Sequence, residues 1–288
     1  MAYSYRSLVA ALADAGVDSA LVSHEATLLL ETFCGVSRAS CLCDRDKLYD
    51  SSKLDEAVEK RINRYPLQYI LGQWEFYGMT FAVSEHCLIP RPDTEILVEK
   101  AIRTLPQGAV FADLCTGSGC IAVSILANRP DTKAVVLELF EPTLDLAVKN
   151  AEIHGVADRM MPVCADLLTD GKQKICEYAP LDALISNPPY IPRQVVDGLA
   201  PELFFEPRAA LDGGEDGLTF YRAILKDYAD LLTPKGEILL EIGYDQAQAL
   251  SQLGNMYLPH MSFECIKDLE GLDRVVAFRH KETSNVIN

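Results

Sequence analysis

The sequence predicts an α/β protein: a doubly wound, mostly parallel sheet preceded by a small N-terminal helical domain. From residue 91 onward, short apolar runs alternate with amphipathic helical stretches, the signature of repeated βα units. Residues 3–64, by contrast, carry helical periodicity and few strand signals. The length of 288 residues fits one large α/β domain with a smaller appendage.

In the N-terminal part, Leu8, Val9 and Leu12 recur at helical spacing and the run stops at Gly16. Leu21, Val22, Leu28, Leu29 and Leu30 mark a second helix, and Ser52 with Asp55 predicts a cap opening a third that runs to Ile62 before Pro66. Residues 67–90 change character. Aromatics around Gly72 and Gly78 predict a hairpin or extended linker. Asp93 is then placed to cap a helix over residues 94–104. "AVFADL", "KAVVLEL", "MPVCAD", "LDALIS", "GEILLEIG" and "DRVVAFR" read as strands, with helices at "CIAVSILAN", "PTLDLAVKNAEIHG" (Pro142 in its first turn) and residues 216–231. The expected domains are therefore 1–66 helical, 67–90 hairpin linker and 91–288 α/β.

The net charge of −16, from 42 acidic and 26 basic residues, disfavours wrapping of naked nucleic acid, which needs a dense basic footprint. No apolar run is long enough to span a membrane, and the polar N-terminus does not read as a secretory signal, so a cytoplasmic protein is expected. The nine cysteines include one CxC (Cys41, Cys43) and no CxxC; scattered, reduced thiols are expected, and no metal site.

Two stretches carry chemistry. "DLCTGSGC" joins the first strand of the α/β part to its helix, with Gly117 and Gly119 where a ligand can approach the backbone. Glu138 ends the next strand, where an acid can accept both hydroxyls of a ribose. Asp113 and Asp166 add carboxylates at neighbouring strand ends, suited to the amino-acid end and adenine amine of S-adenosylmethionine rather than to a pyrophosphate. "SNPPY" places Asn187 at the C-terminal end of the fourth strand, on the edge where open α/β sheets bind ligands. A conjugated nitrogen is a poor nucleophile and must be aimed. The Asn187 side-chain oxygen and the Pro188 carbonyl can accept its two hydrogens, and Tyr190 offers a flat face to a planar group. These residues alone leave open whose amine is held. An exocyclic adenine amine of DNA or RNA suits the motif too, and a non-catalytic nucleotide-binding module or a dehydrogenase are weaker alternatives.

Beyond these motifs, "GQWEFYG", "LIPRPDTE", "DLCTGSGCIAV", "LAVKNAEIHGV", "SNPPYIP", "FEPRAAL", "GGEDGLTFYR", "LLEIGYDQ" and "DLEGLDRVV" occur in order. With them the chain resembles the peptide chain release factor glutamine methyltransferases over nearly its whole length. The resemblance implies a seven-stranded class I methyltransferase domain and a helical domain that recognises the release factor. It implies methyl transfer from S-adenosylmethionine, leaving S-adenosylhomocysteine, to the N5 nitrogen of the glutamine in the GGQ motif. Carried over by position, cofactor contacts fall on Cys115, Thr116, Gly117, Ser118, Gly119, Glu138, Asp166, Leu167 and Asn187, and substrate contacts on Asn187, Pro188, Pro189 and Tyr190. Asn187, Pro188 and Tyr190 are the expected catalytic residues. A monomer is expected, acting on a protein partner, with no membrane and no direct nucleic-acid substrate. The chain departs from the family pattern at Cys115, often glycine, and Glu138, usually aspartate; Phe140, two residues after that acid, either flanks the adenine or packs, and packing is the expectation. Arg91 is a candidate for the cofactor carboxylate or cleft closure, against an ordinary surface salt bridge, and Glu206 for positioning the loop over the cleft, against the structural hydrogen bond that is favoured.

Overall fold

A computed structural model describes residues 2–281 of the chain. The described residues divide into two compact units, one of residues 2–74, Val83–Glu85 and Ala200–Glu206, the other of Glu75–Ala82, His86–Leu199 and residues 207–281.

The first unit is built from α1 (Tyr5–Asp14), α2 (Val22–Cys34), α3 (Arg38–Cys43), α4 (Ser52–Ile62) and α5 (Leu67–Leu71), with a short antiparallel pairing of β1 (Ala2–Tyr3) to β2 (Tyr49–Asp50). Leu8, Leu12, Leu29, Leu30, Leu54 and Val58 form its core, the faces that the 3.6-residue period predicts. The cap of α4 is Ser51, whose side chain accepts from Leu54 N, one residue earlier than the sequence pattern suggests. Inside this unit Arg61 is buried. It donates Nε and Nη2 to the two Glu25 oxygens at 2.6 and 3.1 Å, and Glu202, from the 200–206 excursion, takes Arg64 at 2.6 Å. That excursion includes the buried Glu206. It brings residues distant in sequence into the helical unit, a grouping no local pattern announces.

The hairpin of β3 (Gln73–Phe76) and β4 (Met79–Ala82) turns through Tyr77 and Gly78, both with positive φ (52° and 68°), as a tight two-residue turn requires.

In the second unit α6 (Glu95–Thr104) is followed by β5 (Val110–Leu114), α7 (Cys120–Asn128), β6 (Lys133–Glu138), α8 (Glu141–Ile153), β7 (Met160–Cys164), α9 (Gly171–Ile175), β8 (Leu181–Ser186), α10 (Arg193–Val196), α11 (Thr219–Ala223), β9 (Leu232–Glu241), α12 (Ala247–Tyr257), β10 (Met261–Lys267) and β11 (Asp273–His280). The sheet order is β10-β11-β9-β8-β5-β6-β7, seven strands. Neighbours from β9 to β7 run parallel, while β11 is antiparallel to both β9 and β10. Two apolar clusters flank the sheet, one centred on Phe111, Ile121 and Val136, the other on Leu114, Leu184 and Leu240.

Four local expectations change. The segment 216–231 is not one helix: α11 passes into a π-helical turn at Ile224–Tyr228 and a 3-10 turn at Ala229–Leu231. β10, with its intervening helix α12, escaped the sequence reading because this edge strand mixes polar and apolar residues and is buried on neither side throughout. Asp93 does not cap α6 with its side chain. A 3-10 turn, Pro92–Thr94, precedes that helix, and Asp93 pairs with Arg274 at 3.1 Å. Phe140 does not pack inside: it is 46% exposed.

Candidate active site

The parallel strands β5, β6, β7 and β8 all end at one edge of the sheet, and the loops that follow them line a cleft of about 390 Å³. Cys115, Thr116, Gly117, Ser118, Glu138, Asp166, Leu167, Asn187 and Pro189 line it. Gly119, Pro188 and Tyr190 sit beside it rather than on its wall. The second unit alone forms this cleft.

The glycine loop is shaped by its backbone. Cys115 holds a left-handed φ of 62°, Gly117 56° and Gly119 79°. An ordinary side chain resists that geometry at a cost of about 1–2 kcal/mol, which is the physical reason glycine suits position 115. A Cβ added to Gly117 meets nothing within 4 Å, so the space above this backbone is open to a ligand; one added to Gly119 would stand 3.0 Å from Ala147 Cβ. Burial pushes the Cys115 thiol well above its usual range, and nearby Glu138, Asp113 and Asp166 push it further, which keeps it a neutral wall atom.

Asp113 does not line the cleft. It is wholly buried, and its Oδ2 accepts from Thr116 Oγ1 at 2.7 Å and from Ala122 N at 3.2 Å, stapling the loop to the first turn of α7. Burial pushes its carboxyl up to about 7 despite those two donors. The sequence-based role for Asp113 at the cofactor therefore gives way to one beneath the loop.

The Glu138 carboxylate folds back onto the backbone at the strand end. Oε2 accepts from Gly117 N at 3.0 Å and Oε1 from Leu139 N at 2.9 Å. Burial raises its pKa while these backbone donors pull it down. A carboxylate oxygen has two lone pairs, so Oε2 can still accept from a ribose hydroxyl. Asp166 Oδ1 accepts from Leu168 N at 2.8 Å. Between these strand ends Leu139, Phe140 and Leu168 present exposed apolar surface, 46%, 46% and 44%. Such apolar side chains beside carboxylates suit a flat heteroaromatic ring with a ribose. The residues present thus fit an adenosyl group. Leu139 and Leu168 were invisible to sequence reasoning, since an exposed leucine after a strand has no distinctive pattern.

At the other end of the cleft, Asn187 follows β8, and its Nδ2 donates to Thr94 Oγ1 at 3.2 Å. Pro188 and Pro189 are buried. Gln246 Nε2 donates to the Tyr190 carbonyl at 3.0 Å, fixing the turn, and the Tyr190 hydroxyl faces Glu241 Oε1 at 3.5 Å. Burial and the charge of Glu241 push the Tyr190 phenol upward, so it stays protonated. Arg91 lines the cleft beside Thr94.

The seven-stranded order, with the last strand inserted antiparallel, and the glycine loop at the switch edge define a class I methyltransferase. Comparison with known proteins narrows this. Residues 5–72 match the PrmC N-terminal domain model and residues 92–240 the methyltransferase small domain model. The chain is 39% identical to the release factor glutamine methyltransferase of Geobacter sulfurreducens over 93% of this chain and 92% of that one. It is 35% identical to the enzyme of the same name from Caulobacter vibrioides over 92% and 91%. Among solved structures, the hMettl16 catalytic domain shares the fold, with a TM-score of 0.55 at 18% identity over 82% of this chain and 86% of that one. The chain belongs to the release factor glutamine methyltransferase family.

Proposed function

We propose that the protein methylates the side-chain amide nitrogen of the glutamine in the GGQ motif of peptide chain release factors, with S-adenosylmethionine as donor. The observation that carries this reading is the placement of Asn187 in one cleft with the glycine loop and Glu138. The relatives at 35–39% identity bear that name over nearly their full length.

S-adenosylmethionine supplies an electrophilic methyl on sulfur. The chain's own residues do the rest. Glu138 Oε2 takes a ribose hydroxyl, and the open backbone at Gly117, with Cys115, Thr116, Ser118 and Gly119, accommodates the amino-acid end. Asp166 and Leu167 meet the adenine, with Phe140, Leu139 and Leu168 around the ring. Asn187 Oδ1 and the Pro188 carbonyl accept the two amide hydrogens, so the nitrogen is aimed while Tyr190 covers the planar group and Pro189 walls the turn. Positioning and desolvation carry the catalysis. The methylated nitrogen is cationic and acidic and loses a proton after transfer, so the site needs no strong base. The helical unit presents the surface that takes the release factor, and the protein acts as a cytoplasmic monomer. Among the described residues no helix is long and apolar enough to cross a membrane.

The test is incubation with methyl-labelled S-adenosylmethionine and, in parallel, release factor, DNA or tRNA, with the label located by mass spectrometry. Label on the GGQ glutamine is expected. Label on nucleic acid alone would overturn the reading in favour of an adenine amino-methyltransferase.

A further inference from the structure

An asparagine amide accepts a substrate hydrogen only in one of its two flip states, because a half-turn exchanges its oxygen for its NH2. Asn187 Nδ2 lies 3.2 Å from Thr94 Oγ1. A threonine hydroxyl can donate or accept, so Thr94 alone does not decide the flip. The next group in line does. Thr94 is 2% exposed, and its hydroxyl faces the carboxylate of Glu241, itself 1% exposed at the end of β9. An ionised carboxylate only accepts. When Glu241 is ionised, a Thr94 hydrogen directed at that carboxylate leaves the hydroxyl lone pairs for Asn187. The amide answers with its NH2, which leaves Oδ1 on the side away from Thr94.

Glu241 is hard to explain as packing. No ion pair reaches it among the described residues, since Arg274 is held by Asp268 at 3.0 Å and Asp93 at 3.1 Å. Its Oε2 is buried with no hydrogen-bond partner among the described residues. A buried, unpaired carboxylate costs stability that an apolar side chain would not, and such sites cluster where function needs them. Its two hydroxyl neighbours are Thr94, which lines the cleft, and Tyr190, which follows Asn187 in the turn after β8.

We propose that Glu241 is a positioning residue of the methyl-transfer site, setting the flip state of Asn187 through Thr94 and the place of the Tyr190 ring through its hydroxyl. The inference rests on the glutamine-methylation reading, which gives Asn187 its acceptor role. Protonation of Glu241 turns the acid into a donor and releases the polarity of the chain. The charged and titratable groups facing Glu241 are Asp93 before α6, Tyr190 after β8 and Arg274 on β11, with Cys120 on α7 and Tyr221 on α11 nearby.

The experiment compares Glu241→Gln, Thr94→Val, Thr94→Ser and the Glu241→Gln/Thr94→Val double variant. Glu241→Gln should lower kcat about tenfold to a hundredfold while the Kd for S-adenosylmethionine, read by calorimetry, stays within about twofold. Thr94→Val should do the same, the double variant should lose no more than the worse single, and Thr94→Ser should restore most of what Thr94→Val loses. The wild-type rate should rise through an ionisation near neutral pH that Glu241→Gln lacks. Independently of turnover, the Asn187 side-chain NH2 signals of asparagine-labelled protein should exchange slowly in the wild type and faster in Glu241→Gln. A wild-type rate and unchanged Asn187 signals in Glu241→Gln, or additive losses in the double variant, overturn the proposal. A wild type that leaves the GGQ glutamine unmethylated overturns the functional reading instead, and the Asn187 signals then decide the relay alone.

Discussion

The two ends of the cleft are built differently. At the end of β5 and β6 the site is made of backbone: left-handed turns at Cys115, Gly117 and Gly119, stapled from beneath by Asp113. At the end of β8 and β9 it is made of side chains: Asn187 meets Thr94, Tyr190 meets Glu241, and Thr94 faces the same acid. Each end buries one acid completely, and burial pushes both carboxyls up to about 7. One acid holds the glycine loop from beneath; the other faces the hydroxyls of Thr94 and Tyr190. A backbone cradle is specified by where glycines fall, whereas the proposed aiming of an amide depends on a polarity carried from residue to residue.

Substitutions can break each end in its own way. The largest effect on stability belongs to Gly119→Ala, because φ is 79° and the new Cβ would stand 3.0 Å from Ala147 Cβ and 3.2 Å from its Cα. A loss of about 2–4 kcal/mol is expected, measured by urea unfolding, and it sums backbone strain and overpacking. Glu138→Gln keeps the shape and removes the charge. It should weaken S-adenosylmethionine by about 1–3 kcal/mol, read by calorimetry, with the loss in KM rather than kcat. A kcat loss at unchanged KM would show that the two ends are not separate.

The buried acids make a pH prediction with a definite sign. Asp113 and Glu241 hold their protons to about 7 in the folded chain, above the ordinary carboxylate range they recover on unfolding. Between roughly pH 5 and 7 the native state therefore binds more protons, and stability falls as pH rises, by roughly 1 kcal/mol per pH unit for each acid. This stability is fully present below the unfolded pKa and lost through the folded one. Urea midpoints at pH 5 and 7 check it, and Asp113→Asn or Glu241→Gln should each flatten the slope. The smallest effect is Cys115→Gly, which relieves a left-handed φ but frees the unfolded chain; the net change should stay within about 1 kcal/mol.

The same contrast explains how much was legible in the sequence. The strand–loop–helix around "DLCTGSGC" and the acid ending the next strand are local patterns, and the structure places Gly117 and Glu138 3.0 Å apart. "SNPPY" announced Asn187 by its neighbours. Its supports did not announce themselves: Thr94 lies 93 residues away and Glu241 51 residues from Tyr190. Each looked ordinary in place, one a threonine before a helix, the other an acid at a strand end. Asp113 was misplaced for a related reason, since periodicity does not say whether a strand-end acid turns outward to a ligand or inward to its own loop. The excursion at 200–206 is tertiary in the same sense, joined to the helical unit through Glu202 and Arg64.

The proposed function requires Asn187 to hold the substrate amide. Release factor methylation by Asn187→Ala, with S-adenosylmethionine affinity determined on the same protein, tests this. A loss of about a hundredfold or more in kcat with cofactor affinity within a few-fold of wild type is the predicted result. Full activity in a variant that binds the cofactor normally would contradict it.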